Sequence, residues 1–287
     1  MVGRQALKQS ARVVRPADKS RGSTWVAALR TESARYQRAV AAARTGGQGD
    51  IHELRIDTRR MLALLGLAAA FKPSRKWLGL VRELRRPFRK CARLRDLQAT
   101  RVQLRQIQGR SRVPQHMLEE LNEAVRRHRR RTTNYLTTVR PRKTCRKIIR
   151  LAQRRIAAPQ MGDAVNQCLD RNQRAARAAC RRMKTGDMKA LHRARVAIKV
   201  YRYQLELAGS LAAVSRPVEL RKLRRLQTEL GAVTDLELLR RELKRYAHRH
   251  RRHRRTLAVA QRNLERERGR RFERALATVG RDAIVAK

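Results

Sequence analysis

The chain has 287 residues and carries 73 Lys plus Arg against 23 Asp plus Glu, a formal charge of +50 that opposes compaction and calls for a polyanionic partner. Hydrophobic residues, 41% of the chain and spaced as in helices, exclude a wholly disordered protein, and 3% aromatics exclude a base-stacking surface for single-stranded nucleic acid. The longest apolar run, Met61 to Phe71, is too short to span a membrane, and Cys91, Cys145, Cys168 and Cys180 form no CxxC pair, so they read as free thiols in a reducing compartment.

In chain order, residues 1–19 lack the apolar core of a secretory signal; Arg- and Ser-rich as organellar transit peptides are, they read first as a flexible basic tail. Periodicity near 3.6 then predicts helices over 24–43, 50–71, 75–108 and 115–139, and again over 163–183, 188–209, 216–248 and 255–280. Breaks at TGGQGD, KPS, RSRVP, KTGD and SRP separate them, and no alternating strand pattern occurs. Pro87 falls inside the third helix and should kink or split it there. Its counterpart is Leu226, so the two halves should differ at that point.

The two sets of helices echo each other at an offset of about 140 residues. Arg44 to Gly46 (RTG) meets Lys184 to Gly186 (KTG). HELRIDTRR (His52 to Arg60) meets HRARVAIKV (His192 to Val200), and Asp96 meets Asp235. The expected fold is therefore all-α and internally duplicated. Two four-helix bundle-like halves, about 20–141 and 160–285, would be related by a pseudo-two-fold.

At about 100° per residue, His52, Arg55 and Arg59 share one arc of the second helix, beside an apolar stripe of Leu54, Met61 and Leu65. His192, Arg195, Lys199 and Arg202 repeat that arc, and Glu206, one turn past Arg202, can hold its guanidinium. Arg82, Arg85, Arg86, Arg89 and Arg93 add a stripe on the third helix, answered by Arg221, Arg224 and Arg225. Solvated helix faces ordinarily mix opposite charges, whereas these are nearly all positive. The runs Arg129 to Arg131 and His248 to Arg255 read as solvated surface. The His248, His250 and His253 spacing offers metal ligands, but so dense a positive field opposes a cation, and no metal or cofactor is expected.

These phrases resemble the CHAD family, the conserved histidine α-helical domain. His52, Leu54, Arg55, Ile56, Arg59 and Arg60 match its first phrase, and His192, Arg195, Val196, Lys199, Arg202 and Tyr203 match the second copy. LGAVTD (Leu230 to Asp235) matches a later element well, and CARLRD (Cys91 to Asp96) matches it loosely. Leu62 and Val200 stand where the family pattern has Arg. The resemblance spans about 20–285 in a stand-alone form. It implies two four-helix halves around a basic groove or pore, inorganic polyphosphate as partner, and a cytoplasmic place at polyphosphate granules. The residues so implicated are the stripe residues above, with Arg60 and Tyr203.

A non-specific nucleic-acid binder of similar charge is the alternative. An enzyme is the weakest reading. The sequence has no Walker loop and no acidic cluster to hold Mg²⁺ beside the stripes, and Asp96 and Asp235 read better as orienters of Arg or as helix caps.

Overall fold

The computed structural model describes residues 20–71, 73–108, 113–155, 161–211 and 216–281. The tail expected at 1–19 lies outside them. The described residues form α1 (Ser20–Ala43), α2 (Gln48–Phe71), α3 (Arg75–Lys90), α4 (Ala92–Gln108), α5 (Gln115–Thr138), α6 (Pro141–Arg155), α7 (Met161–Arg181), α8 (Met188–Leu211), α9 (Pro217–Arg249) and α10 (Arg254–Arg281), with a 3₁₀ turn at Arg251–His253. Among the described residues no strand occurs. No helix among them is long and apolar enough to cross a membrane.

Burial explains why these segments are helical. On α2 the residues Ile51, Leu54, Thr58, Met61, Leu65 and Ala68 are all fully buried. On α8 the residues Leu191, Ala194, Ile198, Tyr201, Leu205 and Ala208 are too. Both series step by three and four residues, the spacing that keeps one face of a helix on a core. Each such side chain contributes roughly 1.5–3 kcal/mol when fully withdrawn from water, an upper estimate. With these stripes anchored, the basic positions between them have a fixed direction.

Two expectations need correction. The helix expected over 75–108 is two helices. α3 continues through Pro87, and the interruption falls at Cys91, not at the proline. Proline denies a hydrogen bond to the carbonyl one turn before it, but its own carbonyl still accepts from Cys91 N–H at 3.0 Å. The chain therefore turns one helical turn later than expected. α9, with Leu226 in place of the proline, runs unbroken for 33 residues. Second, α6 was not expected. It occupies the stretch between the two sets of helices expected from the sequence and packs on α1 and α3, burying Cys145, Ile148 and Ala152 along one face. Pro141 at its first position suits a helix start.

All four cysteines are free and buried. Burial raises the thiol pKa of Cys91 to about 11 and of Cys180 to about 12, so neither is a ready nucleophile.

Gly46 and Gly186 end the turns after α1 and α7 with φ of 74° and 83°, a conformation that costs other residues roughly 1–2 kcal/mol. A Cβ at Gly46 would also come within 2.7 Å of Arg129 Cγ and 2.8 Å of Thr133 Cγ2, whereas Gly186 faces open space. Gly186→Ala should therefore cost about 1 kcal/mol in urea unfolding. Gly46→Ala should cost clearly more; equal losses would mean that α5 yields freely at that turn.

Candidate functional site

Four helices in mutual contact carry the basic residues of the two phrases and the charged groups nearest them. α2 packs on α8, α8 on α9, α9 on α4, and α4 back on α2. From α2 come Arg55 and Arg59, and from α8 come Arg195 and Lys199. α4 adds Arg95 and Asp96, and α9 adds Asp235. All seven side chains are partly buried. Arg59 feels the charges of Arg195 and Arg202 across the α2–α8 contact. Lys199 in turn feels Arg195, Arg59 and Arg55. The two stripes therefore converge.

The cluster is short of negative charge. Among the described residues, the ion pairs within 4 Å include none made by Arg55, Arg59, Arg195 or Lys199. Arg195 Nε is buried and donates no hydrogen bond. Burial, then the neighbouring arginines, depresses the Lys199 ammonium to about 6. Burial and Arg59 depress Arg55 to about 10, against the pull of Asp96. Burial also raises Asp96 and Asp235, opposed in each case by nearby arginines. Asp96 and Asp235 thus sit among Arg55, Arg95 and Arg195 as counter-charges, as the sequence suggested, and cap no helix.

Local packing aims the arginines. Arg55 Nη1 donates to the Phe88 carbonyl at 2.9 Å, and its guanidinium stacks 4.2 Å from the centre of the Phe88 ring. Arg59 lies over the same ring at 5.2 Å, and the Tyr203 side chain also acts on its guanidinium. Stacking of this kind orders a guanidinium without neutralising it. The break at Cys91 places Phe88 at the end of α3, next to α2. Tyr203 itself is buried.

The other candidates divide into three groups. His52 and His192 are exposed at the start of their helices. His52 is held below its usual pKa by partial burial and by Arg95. Arg60, Arg93, Arg202 and Arg224 are occupied. Arg60 donates twice to Glu32, at 2.8 and 2.6 Å. Arg93 pairs with Glu242 at 3.0 Å. Arg202 bonds Glu206 at 2.8 Å, as its spacing predicts, and also Gln227, while Arg224 shares Glu206 at 2.9 Å. Arg82, Arg85, Arg86 and Arg89 on α3, and Arg221 and Arg225 on α9, are exposed. Arg86 lies near Tyr135 of α5.

Sequence reasoning missed Arg95 and Phe88. Arg95 precedes the aspartate that the repeat had singled out, and Phe88 is one of only three Phe in the chain, beside a proline. Both signals were present.

The CHAD domain model matches residues 27–244. The chain belongs to the CHAD domain family. A crystal structure of the CHAD domain from the plant Ricinus communis is similar over 98% of this chain and 98% of that one, with a TM-score of 0.72 and 18% sequence identity. That likeness establishes a shared CHAD fold. No curated protein matches the chain.

Arg60 tests how far pairing removes a cation from the site. Glu32 is 4% exposed, and stripping one partner from a buried carboxylate is costly. Arg35, at 3.1 Å, softens the loss. Arg60→Ala should destabilise the fold by about 1–3 kcal/mol in urea unfolding, and adding Glu32→Gln should recover part of it. If the single change costs nothing, the pair does not brace α2 on α1.

Proposed function

We propose that this CHAD protein binds inorganic polyphosphate without catalysis, in a basic groove bounded by α2, α4, α8 and α9. In this reading the two repeats are pseudo-equivalent halves that each supply one wall. The observation that carries it is the convergence of Arg55, Arg59, Arg195 and Lys199 in a partly buried site with no ion pair of their own among the described residues. A polyphosphate chain carries about one negative charge per phosphate and no base edges. Arginine forks suit such oxygens, and aromatic platforms add nothing. His52 and His192 would stand at the rim, and the exposed arginines of α3 and α9 would extend the track. Arg60, held by Glu32, is left as a brace. The family and this chemistry together support a cytoplasmic place at polyphosphate granules.

Nucleic acid is the rival partner. A diffuse basic coat would serve it equally well, and the inward convergence of the four cations would have no role. Any polyanion held by many phosphates is lost as salt rises, so the discriminating measurement is site-directed. Arg195→Gln with Lys199→Gln should weaken polyphosphate binding at least about tenfold at near-physiological salt. Arg130→Gln with Arg255→Gln, both exposed and removing at least as much positive charge, should weaken it less than about twofold. Equal losses in the two double variants would show a diffuse coat instead of a site.

Lys199 gives the site a pH signature. Its folded pKa, about 6, lies below the unfolded value near 10.4. Between those values the unfolded chain binds more protons, so this group lowers fold stability as pH falls through that window. A bound polyanion favours the ammonium, so binding takes up a proton, and affinity rises as pH falls from about 9 towards 6. Calorimetry at pH 8 in buffers of different ionisation heat should find uptake approaching one proton per site, and Lys199→Met should abolish it. The same variant should raise the thermal midpoint of the ligand-free protein by at least about 2 °C while weakening binding. Proton uptake unchanged in Lys199→Met would remove Lys199 from the site.

A further inference from the structure

Three side chains that the basic stripes do not use meet where the start of α5 lies against the end of α9. His116 and Glu120 stand one turn apart on α5, and His250 caps the C-terminus of α9. His116 Nδ1 lies 3.4 Å from Glu120 Oε1, and His250 Nε2 lies 2.5 Å from the same oxygen. The three ligand-capable atoms are all within 4.8 Å of one another. The rings are held in place: Tyr246 stacks on His250 at 4.3 Å, and its hydroxyl lies 3.3 Å from His116 Nδ1. Glu120 and His250 border an open cleft of about 1260 Å³ between α4, α5 and α9.

We propose that His116, Glu120 and His250 form a binding site for a divalent transition metal, with Zn²⁺ the best fit. Two imidazoles and one carboxylate are a zinc-type ligand set, whereas Mg²⁺ and Ca²⁺ take oxygen ligands. Bonds of about 2.0–2.2 Å place tetrahedral ligand atoms roughly 3.3–3.5 Å apart. The His116–Glu120 pair already has that separation. The His250–Glu120 pair must open by about 1 Å, the change expected when a metal replaces the hydrogen bond that now joins them. Water takes the fourth position.

The local field is the objection to weigh. Arg249 Nη2 lies 2.9 Å from Glu120, but from Oε2, the oxygen that neither histidine approaches. That oxygen is buried and accepts no aligned hydrogen bond, and Oε1 is left for the metal. The C-terminal end of α9, which His250 caps, adds partial negative charge there. Ligation would also tie the chain before residue 141 to the chain after residue 160, so the ion acts as a staple.

The site is independent of polyphosphate binding, and its test is separate. Metal-free full-length protein in phosphate-free buffer is titrated with ZnCl₂ against a chromogenic chelator, and thermal unfolding is followed with and without Zn²⁺. One Zn²⁺ per chain and a raised unfolding midpoint are expected. His116→Ala and His250→Ala should each weaken binding at least about tenfold and abolish the midpoint shift. Glu120→Gln, which keeps the side-chain size, should weaken it too, while circular dichroism stays helical in all three. His248→Ala, exposed in the same tract but outside the cluster, should bind as the parent does. Absence of stoichiometric binding overturns the proposal. So does a His248→Ala loss equal to that of His250→Ala, which would mean adventitious binding by the histidine tract. Parent-like binding by His116→Ala would leave only the hydrogen-bonded His–Glu–His cluster.

Discussion

Repulsion among like charges held partly out of water is the constraint on which this structure depends. Arg55, Arg59, Arg195 and Lys199 are brought together by helices that bury apolar faces elsewhere. The α2 and α8 stripes, fully buried at every third or fourth position, supply the energy that holds these cations close. Both parts of that constraint act on Lys199, where burial first and then the neighbouring arginines hold the ammonium down at about 6.

Negative charge is the scarce resource in a chain with 73 basic and 23 acidic residues. It is concentrated in a few carboxylates that each serve several arginines. Glu237 binds Arg240, Arg241 and Arg268. Despite burial, hydrogen bonds from those arginines hold it down at about 2. Glu206 serves Arg202 and Arg224, and Glu32 serves Arg35 and Arg60. Cations alone therefore mark nothing on this molecule. What distinguishes the central cluster is that carboxylates come near it without pairing it off.

Much of this was legible in the residues. The basic arcs of α2 and α8 follow from helical periodicity, and their convergence follows from two apolar faces that pack on each other. The limits have particular causes. Glu32 lies on α1, far in sequence from Arg60, and periodicity says nothing of which helix comes alongside. Phe88 acts through its carbonyl and the face of its ring, and a single aromatic has no period. α6 escaped because a search for repeats has no second copy to find between them, although its apolar spacing was readable. His250 was read within its own histidine tract, yet its partners His116 and Glu120 belong to α5.

The closed ring of α2, α8, α9 and α4 also sets the order of events during biosynthesis. A ribosome releases α2 and α4 well before α8 and α9 exist, at about 5–20 residues per second. For that interval the emerging chain exposes Arg55 and Arg59 without the opposing wall, surrounded by ribosomal RNA. Phe88 is already made and can aim them, but no opposing wall stands across from them, so they meet RNA only as open, salt-sensitive charges. Docking of the late helices onto the early ones is a long-range step, and such steps are slow. The organised cluster is therefore completed only near the end of synthesis, when the protein is leaving the one polyanion it cannot avoid.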